Sequence, residues 1–215
     1  MKPFRRKIDN KTVEDLKYQI LKGRIINWSP KSNKNAGIKF EDLEHILNYW
    51  KNKFDWGKQE KDLNSFPQYK TKINETEVHF LHIKSDFKNA VPLMLIHGWP
   101  GSIFEFLDLI PLLTNPKNEN KKSMLPFDLI IPSLPNVGYS FSIEQKPKDL
   151  KQISSIFIKL MKKIGYKKYF VQGGDLGSFI ASIMAIKDPK NILGIHINFL
   201  PLPRGLNKNL NNKLE

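Results

Sequence analysis

The 215-residue sequence contains no cysteine. Neither a disulfide framework nor a thiolate metal site can therefore form. The sequence also lacks any run close to the roughly 20 apolar residues that a membrane-spanning helix requires. Its basic start, MKPFRRKIDN, is not followed by the apolar stretch of a signal peptide. These absences predict a soluble, cytoplasmic protein without a transmembrane segment.

Positive charge is in excess, with a formal net charge of +14 at pH 7. Such an excess can indicate binding to nucleic acid or to an anionic membrane surface. The basic residues are scattered along the chain, however, and no helix-turn-helix, zinc or aromatic-basic RNA motif accompanies them. The charge therefore predicts a solvated basic surface, and we expect no specific nucleic-acid partner.

The first part of the chain combines helical and strand patterns. Residues 12–23 can form a short amphipathic helix. A second helix is indicated by apolar residues three and four positions apart, namely Phe40, Leu43, Leu47, Trp50 and Phe54. Residues 66–73 and 77–84 are predicted to form two strands around a turn at Asn74 and Glu75.

From residue 91 onward, strand-like and helix-like runs alternate. Four apolar runs of strand length are separated by helical patterns, namely VPLMLIH, FDLIIPS, YFVQG and ILGIHINFL. Helices are predicted over residues 103–113, 150–164 and 176–186, the first with a capping box of Ser102 and Glu105. This alternation predicts an α/β fold with a mostly parallel sheet that helices cover on both faces.

The stretch GGDLGS, residues 173–178, lies where a strand-like run ends and a helix-like run begins. Gly173 and Gly177 flank Asp175 at two positions on either side, which is the arrangement of a nucleophile elbow. The glycines leave room for a side chain that projects from a sharp turn toward a substrate pocket. The amide of Leu176 would then face the reacting oxygen, and the turn after Ile96 would supply a second amide from Trp99.

Two other interpretations of this stretch stay open at the level of the motif. Asp175 can be an ordinary helix N-cap, a common position for aspartate. A dinucleotide site is disfavoured because Gln172 would occupy the first glycine position of the G-x-G-x-x-G fingerprint, and no acidic residue follows the next strand to bind a ribose.

An aspartate nucleophile favours a particular reaction. Its carboxylate is ionised at neutral pH and attacks without a general base, but attack on an ester carbonyl would give a reactive anhydride. Attack on a saturated carbon with a leaving oxygen or halide gives a stable alkyl ester instead. The pattern therefore predicts an enzyme acting on epoxides or haloalkanes, with a later base, commonly histidine, to hydrolyse the ester.

Three motifs in series are PLMLIHGWPGSIFEF, FDLIIPSLPNVGYSFS and LMKKIGYKKYFVQGGDLGS. Together with the region from residue 26 onward, they resemble the microsomal-type epoxide hydrolases. The resemblance implies an α/β-hydrolase core, residues 89–202, with an N-terminal segment, residues 1–88, packed on it and a polar tail, residues 203–215. It also implies a detoxification role, a small apolar epoxide as substrate and no cofactor.

Carried over by position, the resemblance makes Asp175 the nucleophile and assigns the oxyanion amides to Trp99 and Leu176. The sequence departs from the family where Leu176 replaces the usual tryptophan. Loss of that indole donor favours an epoxide over a haloalkane. The family's SLPGYGFS loop is also altered, reading SLPNVGYS over residues 133–140.

In the family, the tyrosines that protonate the epoxide, the orienting acid and the catalytic histidine lie beyond the matched region. The sequence therefore predicts a truncated hydrolase domain with little or no turnover alone. The alternative is a non-catalytic remnant or binding half. The unpaired edge of the last strand favours association with a second copy or a complementing polypeptide.

None of the five histidines is a strong candidate base or ligand. His97 and His196 match family positions without a base role, although His196 remains the alternative base. His79 and His82 lie three apart on a strand, so they face opposite sides and cannot chelate one metal ion together. His45 lies on a charged helix face, and we expect no metal site.

Overall fold

The structure is a computed structural model that describes residues 1–24, 37–116, 125–142 and 146–200. It divides into two compact units, Met1–Phe4 with Phe66–Glu215 and Arg5–Ser65. The tail proposed from the sequence, residues 203–215, lies outside the described residues.

The unit Arg5–Ser65 is helical where it is described. Its helices are α1 (Asn10–Lys22), α2 (Phe40–Asn52) and α3 (Trp56–Asn64). The side chain of Asp9 caps α1 by accepting from the Thr12 amide over 2.7 Å. The first two helices confirm the sequence prediction with slightly different ends. The third was not predicted, because its polar sequence carries no sustained apolar stripe.

The larger unit is built on one sheet of seven strands among the described residues. The strands are β1 (Lys2–Pro3), β2 (Gln68–Ile73), β3 (Thr76–Ile83), β4 (Val91–Ile96), β5 (Phe127–Pro132), β6 (Tyr169–Gly173) and β7 (Ile192–Ile197). Their order is β1-β2-β3-β5-β4-β6-β7. The strands β4, β5, β6 and β7 are mutually parallel, whereas β1 to β3 join antiparallel at one side. The predicted mostly parallel sheet is confirmed.

Helices cover the two sheet faces unequally. On one face, α5 (Leu150–Lys163) and α6 (Leu176–Lys187) pack over buried residues of the central strands, including Met94, Ile96 and Val171. On the other face lie a 3₁₀ turn, Ile103–Phe106, and the short helix α4 (Leu109–Thr114). The sequence predicted one helix here; it is split because Pro111 has no N–H and is accommodated in the first turn of α4. The predicted capping box of Ser102 and Glu105 is present.

Strand β4 lies inside the sheet, between β5 and β6, and marks the point where the strand order reverses. The chain passes from β4 to β5 on one side and then crosses to β6 on the other. Ile96 at the end of β4 is aligned with Gly173 at the end of β6. The loops that follow these two strands therefore leave the same edge of the sheet side by side, as expected for a functional site in an open parallel sheet.

The opposite edge of the sheet is tied together by a polar cluster. The Tyr166 hydroxyl donates to Asp128 Oδ2 over 2.8 Å and lies 3.0 Å from His82 Nε2. Asp128 Oδ1 accepts from the Ser85 amide over 2.9 Å. Burial and the adjacent Asp128 raise the pKa of Tyr166, so the hydroxyl stays protonated.

Among the described helices, none is long and apolar enough to cross a membrane.

Candidate functional site

Asp175 occupies a strained turn between β6 and α6. Its backbone angles are φ 49° and ψ −121°, in a region that non-glycine residues rarely adopt. Its side chain makes no cap hydrogen bond to α6. A genuine cap in the same unit, Asp149 before α5, has φ −75° and ψ 169° and accepts from the Gln152 amide over 2.7 Å. Asp175 therefore precedes α6 without capping it through its side chain, and its backbone angles are compatible with the elbow interpretation.

The two flanking glycines are required by close backbone approaches. A Cβ atom on Gly173 would overlap the carbonyl group of Gly177. A Cβ atom on Gly177 would overlap the carbonyl oxygen of Ile96 at the end of β4. The buried Ser178 hydroxyl donates to the Gly173 carbonyl over 2.7 Å and fixes the turn from inside. The elbow is thus packed directly against the neighbouring strand.

The carboxylate of Asp175 meets the loop that follows β4. The Trp99 amide donates to Asp175 Oδ1 over 3.0 Å. This bond, followed by the Leu176 amide, holds the pKa of the Asp175 carboxyl below its ordinary value. The carboxylate is therefore ionised at neutral pH, and two backbone N–H groups face it.

The Asp175 carboxylate is open to solvent, contrary to the sequence-based expectation of a pocket. Asp175 is exposed, and the Trp99 side chain is 66% exposed. The lowered pKa of Asp175 thus comes from hydrogen bonding rather than from burial. The described residues supply a carboxylate and two amides that face it but leave the carboxylate uncovered.

The loop after β4 is held by buried polar contacts. The His97 ring, 1% exposed, lies 2.8 Å from the Gly98 carbonyl oxygen through Nδ1 and accepts from the Leu134 amide through Nε2 over 3.1 Å. Glu105 accepts from the Ser102 amide over 3.0 Å and closes the following turn. Sequence reasoning missed His97 because its partners are backbone groups of a distant loop.

The loop over residues 133–140 faces the same sheet edge and rests on a second buried histidine. Ser133 Oγ lies 2.9 Å from His79 Nδ1, and Gln68 Oε1 lies 3.1 Å from His79 Nε2. The Ser140 hydroxyl donates to the Ser133 carbonyl over 2.9 Å and accepts from the His79 amide over 2.9 Å. Burial lowers the pKa of His79 to about 3, so this ring is neutral. His79 and His82 bind separate partners on opposite faces of β3, as predicted.

No histidine of the chain hydrogen-bonds to Asp175 in the part that the structure describes. His79, His82 and His97 are held by the partners given above, and burial lowers the pKa of each. His196 lies on β7, and His45 lies on α2 in the smaller unit. Within the described ranges, no three His, Cys, Asp or Glu side chains gather as a metal ion would require.

A cavity of about 680 Å³ lies on the sheet face that α4 covers in part. Its walls are mainly apolar, including Leu93, Leu95 and Phe170, and its polar end contains Gln172, His196 and Asn198. Gln172 Oε1 is buried without a hydrogen-bond partner there. Neither Asp175 nor Trp99 lines this cavity, so its volume does not describe the space in front of the carboxylate.

Two family models match the chain. The model described as epoxide hydrolase N terminus matches residues 1–106, and the model described as alpha/beta hydrolase fold matches residues 91–198. Among curated relatives, Epoxide hydrolase 1 of Sus scrofa is 37% identical over 202 residues. That alignment covers 92% of this chain and 44% of the pig protein.

Solved structures give the same result. The juvenile hormone epoxide hydrolase of the silkworm Bombyx mori is 36% identical with a TM-score of 0.81, covering 92% of this chain and 52% of that chain. The Aspergillus niger epoxide hydrolase is 32% identical with a TM-score of 0.80, covering 94% of this chain and 53% of that chain. The chain thus spans about half the length of the proteins it matches.

Proposed function

The chain belongs to the microsomal-type epoxide hydrolase family, and we propose that Asp175 opens an epoxide ring by forming an alkyl ester with it. The contact that carries this proposal is the hydrogen bond from the Trp99 amide to Asp175 Oδ1. It places a backbone donor on an ionised carboxylate that projects from a strained elbow. The substrate class is a small apolar epoxide.

In the first step, the carboxylate oxygen opposite Oδ1 attacks a ring carbon of the epoxide. A carbon–oxygen ester bond forms, and the ring carbon–oxygen bond breaks. Its electron pair goes to the ring oxygen, which takes a proton from solvent or from an acid outside the described residues. An ionised carboxylate needs no base for this step, and the lowered pKa of Asp175 keeps it in the reactive form.

In the second step, water attacks the carboxyl carbon of the ester. The former Oδ1 becomes a tetrahedral oxyanion that the amides of Trp99 and Leu176 stabilise. Collapse of this intermediate breaks the bond between the carboxyl carbon and the alkyl oxygen; that oxygen takes one proton from the attacking water and leaves as the diol, the second proton goes to solvent, and Asp175 is restored as a carboxylate. Two backbone donors are therefore assigned to the hydrolytic half of the reaction.

The second step needs a base, and the described residues place none beside the carboxylate. His97 is the histidine of the neighbouring loop, but both its ring nitrogens are occupied by Gly98 and Leu134. A polypeptide of residues 1–215 on its own should therefore accumulate the ester and release diol slowly.

Intact mass measurement after incubation with styrene oxide tests the proposal. The 215-residue polypeptide should gain the mass of one epoxide, and peptide mapping should locate it on Asp175. Asp175→Asn should gain nothing. Asp149→Asn is the matched control, because Asp149 is an exposed aspartate that begins a helix in the same unit but acts as a cap; it should react like the unsubstituted chain.

An adduct of equal yield in Asp175→Asn would contradict the proposal, as would rapid diol release that persists in Asp175→Asn. Rapid release that is lost in Asp175→Asn would mean that a base elsewhere in the chain hydrolyses the ester. His196→Gln then identifies whether His196 is that base.

A second candidate role is association with another polypeptide that supplies the base and the proton donor. The exposed, mainly apolar walls beside β7 favour it, because Ile195 is 42% exposed on this edge strand and lines the large cavity. Sedimentation velocity of the isolated chain tests this role. A stable monomer that also turns over epoxide would contradict it.

A further inference from the structure

His97 lies between the loop that carries Trp99 and the loop that begins at Ser133. Its Nε2 accepts from the Leu134 amide over 3.1 Å. A backbone N–H can only donate, so Nε2 carries no proton and the neutral ring holds its proton on Nδ1. Nδ1 therefore donates to the Gly98 carbonyl oxygen over 2.8 Å. One ring tautomer satisfies both contacts.

The Gly98 carbonyl and the Trp99 N–H belong to the same planar peptide unit. In a trans peptide these two groups point in opposite directions. A donor that fixes the Gly98 oxygen therefore also fixes the direction of the Trp99 N–H. That N–H donates to Asp175 Oδ1 over 3.0 Å. The histidine and the carboxylate thus hold one peptide plane from its two sides.

We propose that His97 is a positioning residue for the oxyanion site, whose neutral Nδ1-protonated ring aims the Trp99 amide at Asp175. The Leu134 contact at Nε2 selects this tautomer. The orientation of the Trp99 N–H therefore depends on the loop that contains Leu134. The role of the Trp99 amide in catalysis rests on the proposed function, whereas the direction of its N–H toward Asp175 is a property of the unreacted protein.

Burial favours the neutral ring. It is the largest effect on the pKa of His97 and lowers it, while the Gly98 carbonyl and the charge of Glu105 act in the opposite direction. A protonated ring would place a second N–H against the Leu134 amide, donor against donor. The neutral form is therefore the one compatible with both loops.

Three substitutions separate the two ring contacts. His97→Asn places an amide near the position of Nδ1 and can still donate to Gly98. His97→Gln reaches the position of Nε2 and can still accept from Leu134. His97→Leu fills the space with neither contact. The measured quantities are the pKa of the Asp175 carboxyl by NMR, the rate at which the styrene oxide adduct is hydrolysed, and the melting temperature.

We expect His97→Asn to keep the low pKa of Asp175 and a rate of adduct hydrolysis within a few-fold of the unsubstituted chain. His97→Gln and His97→Leu should raise the pKa of Asp175 and slow hydrolysis of the adduct about 10-fold or more, because the misplaced Trp99 amide no longer stabilises the oxyanion. Equal effects of Asn and Gln, or an unchanged pKa of Asp175 in His97→Leu, would overturn it. A purely structural role would lower the melting temperature without this ordering.

A measurement on the unsubstituted chain covers the case in which the variants do not fold. Nitrogen NMR of the His97 ring should show a protonated Nδ1 and an unprotonated Nε2 at neutral pH, and the opposite tautomer would overturn the inference. Neither ring NMR nor the pKa of Asp175 requires an epoxide. If no adduct ever forms but the pKa of Asp175 responds as expected, the proposed function fails and the positioning role of His97 stands.

Discussion

Gly98 lies directly against the side chain of Asp175. A Cβ atom at Gly98 would be 2.5 Å from Asp175 Cβ and 2.6 Å from Oδ1. Both distances are far inside van der Waals contact. The glycine before Trp99 therefore creates the space that the Asp175 side chain occupies, and the two loops can meet only because this residue has no side chain.

Gly98→Ala should consequently slow adduct formation with styrene oxide by about 100-fold, because the added methyl group displaces the Asp175 carboxylate from its attacking position. Stability should also fall, since Gly98 is buried and the added methyl group meets Cβ of Asp175, so the rates are compared for the folded fraction. Gly194→Ala is the control: its Cβ atom would lie 3.2 Å from the Phe170 ring, away from the carboxylate. Equal rates for the two variants would show that Gly98 does not shape the site.

The glycines of the elbow should differ sharply in their tolerance of alanine. Gly173→Ala should lower the free energy of unfolding by about 3 kcal/mol, because the added methyl group meets the backbone of Gly177. Gly174→Ala should cost less than about 1 kcal/mol, because its nearest obstacle is the Asn198 side chain at 2.9 Å, which can rotate away. Urea unfolding measures both. Similar losses would contradict the close packing of the elbow on the sheet.

The rate of adduct formation should be nearly independent of pH from neutrality down to the ordinary range of aspartate. The Trp99 and Leu176 amides lower the pKa of Asp175, so its carboxyl is protonated only at a lower pH than an ordinary aspartate. The stabilising contribution of these hydrogen bonds also decreases with falling pH. It is complete above the pKa of Asp175 in the unfolded chain and is lost as the pH falls through its pKa in the folded protein. Initial rates, corrected for folded fraction by circular dichroism, check this. A midpoint near neutrality would contradict it.

The protein should lose stability on acidification because of its buried neutral His79. The pKa of His79 is about 3 in the folded protein against 6.5 for the free side chain. Between these pH values the His79 ring is protonated in the unfolded chain but stays neutral in the folded protein. The free energy of unfolding therefore falls as the pH drops from 6.5 toward 3. The total loss is on the order of a few kcal/mol.

Urea unfolding at neutral pH and near pH 4.5 measures this dependence. His79→Gln should reduce the difference between the two conditions, while His45→Gln, in an exposed position on α2, should leave it unchanged. Part of the dependence should survive in His79→Gln, because burial also lowers the pKa values of His82 and His97. An unchanged pH dependence in His79→Gln would contradict the assignment.

The repeating elements of the larger unit were predictable because their signals are local. Apolar runs such as VPLMLIH and the stripe of α5 report which residues one face must bury, independent of the rest of the chain. The tight turn at residues 173–178 was predictable for the same reason, since the two glycines around Asp175 indicate close approaches that other residues cannot make.

Other features depend on contacts between distant positions. Strand β1 has two residues and exists through its pairing with Lys70 and Tyr69 of β2. The role of His97 depends on the Leu134 amide, 37 positions away. The exposure of Asp175 depends on what covers the loops around it. None of these features produces a repeating pattern of apolar residues in the sequence from which it could be predicted.

The alignment of Ile96 with Gly173 determines where the Trp99 amide and the Asp175 carboxylate lie relative to each other. Trp99 follows Ile96 by three residues, and Asp175 follows Gly173 by two. The lengths of the two strands therefore determine the point at which the Trp99 amide and Asp175 meet. An insertion or deletion of one residue in β4 or β6 would shift it by about 3.3 Å, which is more than a hydrogen bond tolerates. Evolution can therefore exchange the side chains along these strands far more freely than it can change their lengths.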